Sequence, residues 1–200
     1  MEQVRSFIAI ELPDELRQEL NTLQARLKSA SQPWVKWADP YSIHLTLKFL
    51  GSILESRIGG ITQAMVEATE GIPPFYLEVK DLGVLPNLRR VRIVWVGVGG
   101  EVDKLTRLQP RIEAHLARLG FASDSRPFTP HLTLARVRDQ ALSAERQALG
   151  QVISSKNVKM NYTFEVTAIN LMKSQLARGG AIYSRISSVG LKKPLSTTTT

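Results

Sequence analysis

The tetrapeptide His-Leu-Thr-Leu occurs at 44–47 and again at 131–134, and these two segments hold two of the chain's three histidines. On an extended strand alternate side chains share a face, so His44 stands beside Thr46, and His131 beside Thr133. The leucines between them (Leu45, Leu47, Leu132 and Leu134) point the other way. If the two strands meet about a two-fold axis, a pair of imidazoles and a pair of hydroxyls converge on one cleft. That set suits in-line displacement at phosphorus. One imidazole takes a proton from the attacking water while the other gives a proton to the departing oxygen on the opposite side. An ordinary imidazole pKa of about 6.5 permits either role near neutral pH, and the symmetry of the motif does not say which histidine takes which. The threonine hydroxyls and nearby backbone N–H groups can hold the non-bridging oxygens. A 2′,3′-cyclic phosphate is already strained and needs no strong electrophile, so a metal is not demanded. Two histidines without cysteine or an obvious neighbouring carboxylate also fall short of a usual zinc set. The third histidine, His115, lies on an amphipathic helix and is read as a structural or surface residue.

Further residues are candidates by position. Strict strand parity puts Lys48 on the face of His44, within reach of phosphate, and Arg136 on the opposite face from His131 unless a bulge redirects it. Phe49, Trp37 and Phe128 could stack a base or serve the core. Arg89, Arg90, Arg92 and Arg126 could track an RNA backbone. The balance of 26 Lys and Arg against 18 Asp and Glu gives a formal charge of +8, which favours a polyanionic partner. The absence of cysteine excludes a disulfide framework, thiolate zinc and a cysteine nucleophile, and fits a reducing, cytoplasmic setting. No apolar stretch approaches membrane-spanning length and no signal peptide is visible, so no membrane partner is expected. The polar tail, residues 191–200, is expected to be disordered.

These residues must be positioned by larger elements, and the chain is written twice. At the same offset of 87 residues, Val4-Arg5 matches Val91-Arg92, Pro40 matches Pro127, and Glu78-Val79 matches Glu165-Val166. Two halves, about 4–86 and 91–173, read as copies. Each offers a strand (4–12; 91–98), a helix, the His-Leu-Thr-Leu strand, a second helix (about 54–69; 143–154) and a long strand (75–85; 162–172). The first helix opens at Pro13-Asp14. Its counterpart runs from Val102 to Leu119, with Pro110 expected to kink or divide it and Gly120 to close it. A last strand near 181–187 has no counterpart. The predicted fold is α+β: a single bilobal domain over 1–190, with pseudo-two-fold duplication and antiparallel-rich sheets flanked by helices around a central cleft.

The segments Trp34–Gly51 and Arg126–Arg136, with Arg5–Pro13, Val94–Val98, Ser174–Leu176 and Gly179–Ala181, resemble the two-histidine phosphoesterase superfamily. Within it the chain is most similar to the RNA 2′,3′-cyclic phosphodiesterases, also called 2′-5′ RNA ligases. The resemblance implies hydrolysis of a terminal 2′,3′-cyclic phosphate to a 2′-phosphate, without cofactor. The expected partner is RNA with such an end or a small cyclic nucleotide, and a monomer is expected. It makes His44 the proton donor and His131 the proton acceptor, with Thr46 and Thr133 holding phosphate and ligation as the reverse reaction. A noncatalytic module that binds RNA ends would keep the cleft, but binding needs no paired acid and base.

Overall fold

The apolar run after Gln3 forms β1 (Gln3–Glu11), whose branched and aromatic side chains suit a pleated surface. It is an inner strand of a four-stranded antiparallel sheet. The order is β3 (His44–Leu54), β1, β8 (Ala168–Ala177) and β9 (Gly180–Gly190). A second antiparallel sheet of five strands runs β2 (Val35–Trp37), β6 (His131–Val137), β5 (Ile93–Gly100), β4 (Phe75–Leu85) and β7 (Asn161–Val166). The computed structural model describes residues 3–28, 32–156, 160–177 and 180–192. Beyond Lys192 the polar tail lies outside the described residues.

Four helices cover one face of each sheet. α2 (Ile58–Thr69) and α3 (Val102–Arg118) pack together, against β9 and β3 respectively, whereas α4 (Ser143–Ser155) packs against β4. α1 (Asp14–Leu27) reaches β6 through Gln24, whose side-chain amide donates to the Leu134 carbonyl. The helical stripes Leu16, Leu20, Leu23 and Leu27, and Leu105, Leu108, Ile112 and Leu116, join Leu45, Leu47, Leu132 and Leu134 in one continuous core. Both His-Leu-Thr-Leu strands thus spend their leucines on the core beneath the helices. The histidines face the other side.

The duplication is real but interlocked. β8, from the second half of the chain, completes the sheet built on β1 and β3; β4, from the first half, completes the sheet built on β5 and β6. The halves in sequence are therefore not the lobes in space. β3 and β6 belong to different sheets, yet their Cα atoms come within 8 Å at the seam between them. The offset also slips once. Glu11 lies opposite His44 and Gly97 opposite His131, so β1 and β5 correspond at 86 residues rather than 87.

Other expectations need correction. The long strand predicted at 162–172 is two strands, β7 and β8, which pair with different sheets. Its counterpart β4 stays whole but is bulged at Asp81, whose φ of +62° marks the equivalent break. Pro110 does not divide α3. It sits on the exposed side, where the carbonyl it leaves unpaired can meet water. Gly120 does close the helix, with φ +83° and its N–H on the Ala117 carbonyl at 2.9 Å.

Candidate active site

The two motifs are built alike. His44 Nδ1 lies 2.9 Å from the Ser42 carbonyl oxygen, and His131 Nδ1 lies 2.7 Å from the Thr129 carbonyl oxygen. A carbonyl only accepts, so in both rings Nδ1 carries a proton and donates it. Each ring is held by the backbone two residues before it, which leaves Nε2 for other partners. Neither Thr46 nor Thr133 hydroxyl has a protein partner among the described residues, and both side chains are half-buried on the histidine face.

A bulge follows each motif at the same place. Ile8 pairs with Lys48 and Ala9 with Thr46, leaving Leu47 as an extra residue; Val94 pairs with Ala135 and Trp95 with Thr133, leaving Leu134 extra. The extra residue inverts the parity of the residues that follow it, in β3 as far as a second bulge at Leu50. Arg136 is thereby turned to the face of His131, as the bulge alternative required, and Phe49, 69% exposed, is turned to the face of His44. The same bulge removes Lys48 from that face. Its side chain is buried, with Nζ 2.7 Å from Glu113 Oε2 on α3 and 2.6 Å from the Ala122 carbonyl. Its expected contact with phosphate is thus corrected. The lysine ties β3 to α3 and to the loop that leads into the second motif.

Around the two rings the halves differ. His44 stacks on Phe7 (centroids 4.4 Å apart, planes at 25°) and meets the Tyr183 ring edge-on at 5.0 Å. Burial pushes the His44 pKa below its ordinary value, while the Ser42 carbonyl and the Glu11 carboxylate oppose that shift. Glu11 Oε2 accepts from Asn170 Nδ2 at 2.8 Å and from Arg185 Nε at 2.7 Å. His131 instead has Trp95 beside it, centroids 6.2 Å apart. Trp95 lies over Gly83, where an added Cβ would come within 2.5 Å of the indole. That close approach is what requires glycine there.

The remaining candidates fall apart into separate places. Phe128 and Trp37 are partly buried against the core. Arg126 is exposed, 3.7 Å from Asp124, whose carboxyl is held low chiefly by the Arg126 backbone N–H. Lys36, opposite Arg136 in register, is exposed on the same face. His115 is paired with Glu67 of α2 at 2.9 Å, a link between helices. Sequence reading missed Glu11, Tyr183 and Arg185, because only the cross-strand register brings them to His44. The alternation of β1 was the one available signal, since Phe7, Ala9 and Glu11 share its site face.

The LigT-like phosphoesterase family matches the chain twice, at residues 10–95 and 96–183. The chain is 32% identical over 183 residues to the RNA 2′,3′-cyclic phosphodiesterase of Methanothermobacter thermautotrophicus, covering 91% of this chain and 96% of that one. It is 29% identical to the enzyme of the same name from Aquifex aeolicus, with 92% and 95% covered. Among solved structures, E. coli LigT complexed with 3′-AMP superposes with a TM-score of 0.76 at 26% identity, over 96% of this chain and all (100%) of that one. No helix among the described residues is long and apolar enough to cross a membrane.

Proposed function

The chain belongs to the LigT-like phosphoesterase family and is a phosphodiesterase, and we propose that it opens a terminal RNA 2′,3′-cyclic phosphate to a 2′-phosphate by metal-independent acid–base catalysis between His44 and His131. The observation that carries this reading is the matched pair of rings, each donating Nδ1–H to the carbonyl two residues back and each presenting Nε2, on strands that meet at the seam of the sheets.

In the proposed step His131 Nε2 takes a proton from water as the water oxygen attacks phosphorus. The P–O3′ bond breaks in line, and His44 Nε2 delivers its proton to O3′. The phosphate stays on O2′, and the two rings exchange protons with solvent before the next turnover. Thr46 and Thr133 hydrogen-bond the non-bridging oxygens, whose charge must be held through the transition state. Arg136 and Phe49, turned to this face by the bulges, hold an upstream phosphate and stack a base. Replacing water by a 5′-hydroxyl in the same step yields a 2′-5′ linkage, so ligation is the reverse of one cleavage.

Among the described residues no three His, Cys, Asp or Glu side chains cluster as metal ligands. The test is an oligonucleotide ending in a 2′,3′-cyclic phosphate, incubated in excess EDTA. Full turnover to a 2′-phosphate end is expected. Activity lost to EDTA and restored by a divalent cation would overturn the mechanism, and a 3′-phosphate product would overturn the bond assignment.

A further inference from the structure

We propose that Gln24 and Gln109 are positioning residues that lock the two bulges, each reaching from one half of the chain to the bulged leucine of the other. A bulge leaves its extra residue unpaired with the strand across it, and a side-chain donor on the carbonyl of that residue fixes where the bulge sits. Gln109 of α3 donates through Nε2 to the Leu47 carbonyl at 3.4 Å and to Glu113 Oε1 at 3.1 Å. Gln24 of α1 donates through Nε2 to the Leu134 carbonyl at 3.1 Å, which also accepts the Ala38 N–H at 2.8 Å, and to the Ala38 carbonyl at 2.8 Å. Each amide nitrogen has two N–H bonds, and each is spent on two groups that only accept. Both side chains are buried, Gln24 at 0% exposure and Gln109 at 8%.

Two buried glutamines in equivalent helices, aimed at equivalent carbonyls, are one device used twice. The bulges decide whether Phe49 and Arg136 face the histidines or the core. The glutamines therefore act on substrate through those two residues, and this part rests on the proposed function. Glu113 extends the device in the first half, because the carboxylate that accepts from Gln109 also holds Lys48.

Gln24→Met and Gln109→Met keep the side-chain length and remove the donors. In the folded full-length variants, amide hydrogen exchange is followed over residues 45–50 and 132–137. Gln24→Met is expected to speed exchange across 132–137 by about tenfold, the worth of one buried hydrogen bond, with 45–50 unchanged. Gln109→Met is expected to do the reverse. An equal rise in both segments, or no rise, overturns the proposal, because general loosening does not choose a strand. The arrangement is repeated, so either variant alone decides the matter if the other does not fold.

Kinetics give a second readout. Gln24→Met should raise KM for the cyclic-phosphate oligonucleotide by about tenfold while kcat on a nucleoside 2′,3′-cyclic phosphate stays within about twofold. Arg136→Ala should add little in that background, whereas Phe49→Ala should act independently; Gln109→Met should show the opposite pairing. Additivity for every pair overturns the link to substrate. If Arg136→Ala and Phe49→Ala alone leave KM unchanged, the substrate reading of those two residues fails, and the exchange experiment still judges the lock.

Discussion

His44 is a reluctant cation. The ring is enclosed by Phe7 and Tyr183, and desolvation outweighs the help it receives from the Ser42 carbonyl and Glu11, so its pKa lies below 6.5. The repeated motif leaves the acid and base roles open, and the pH profiles of the single variants assign them. Replacing either histidine by alanine should lower kcat about 10²–10⁴-fold. What remains in His131→Ala depends on His44 alone. If His44 is the donor, the residual kcat/KM falls as pH rises through a value below 6.5, and that of His44→Ala rises with pH. Opposite slopes would exchange the two roles, and flat profiles in both variants would remove both histidines from proton transfer. The same shift appears in stability. Between the folded pKa and 6.5 the unfolded chain binds a proton at this position and the folded chain does not. The stability contributed by His44 is thus fully present above about pH 6.5 and is lost as pH falls through the folded value. His44→Gln should unfold less steeply with acidification than the parent. Identical pH dependence of Tm in both proteins would show that the ring is not desolvated.

At the scale of elements, most of the strands and helices were legible: β1 and β5 by branched runs, β3 by its repeated motif, α1 and α3 by leucines at helical spacing. The bulges were not. Leu47 and Leu134 look like ordinary inward residues, and only the cross-strand register shows them to be bulged, with a glutamine from a helix distant in sequence donating to each carbonyl. For the same reason Lys48 was misread. Parity alone offered it to the cleft, and the extra residue delivered it to Glu113. Its energetic role can be measured. Both side chains of this pair are largely excluded from water, so removing one partner strands the other charge at a cost of about 3–5 kcal/mol, whereas removing both costs less. Lys48→Met should therefore destabilise strongly, and Lys48→Met with Glu113→Leu should regain most of the loss in denaturant titrations. A double variant no more stable than the single one would mean that the lysine serves mainly the Ala122 carbonyl and the loop beyond it.

At the scale of the molecule the repeat was visible because the motifs were preserved letter for letter, and the exchange of β4 and β8 was invisible because both halves predict the same element in the same place. Interlocking brings β3 and β6 to one seam while denying either half a complete sheet of its own. The symmetry stops at the positions after the bulges, where one half presents the aromatic Phe49 and the other the cationic Arg136 with Lys36 beside it in register. Arg136 and Lys36 place two of the 26 basic residues on the His131 face, which composition could not show. Neutralising a phosphate on single-stranded nucleic acid releases counterions and contributes a slope of about −0.7 to log K against log salt concentration. If Arg136 and Lys36 hold the upstream phosphates of an oligonucleotide, a nucleoside cyclic phosphate has none to offer them. Its 1/KM should therefore depend weakly on salt, and that of the oligonucleotide steeply. Arg136→Ala and Lys36→Ala should each flatten the oligonucleotide slope by about 0.7 while leaving the nucleoside slope unchanged. Equal slopes for the two substrates would mean that the cationic face beside His131 does not track RNA, and that the charge serves some other surface of the protein.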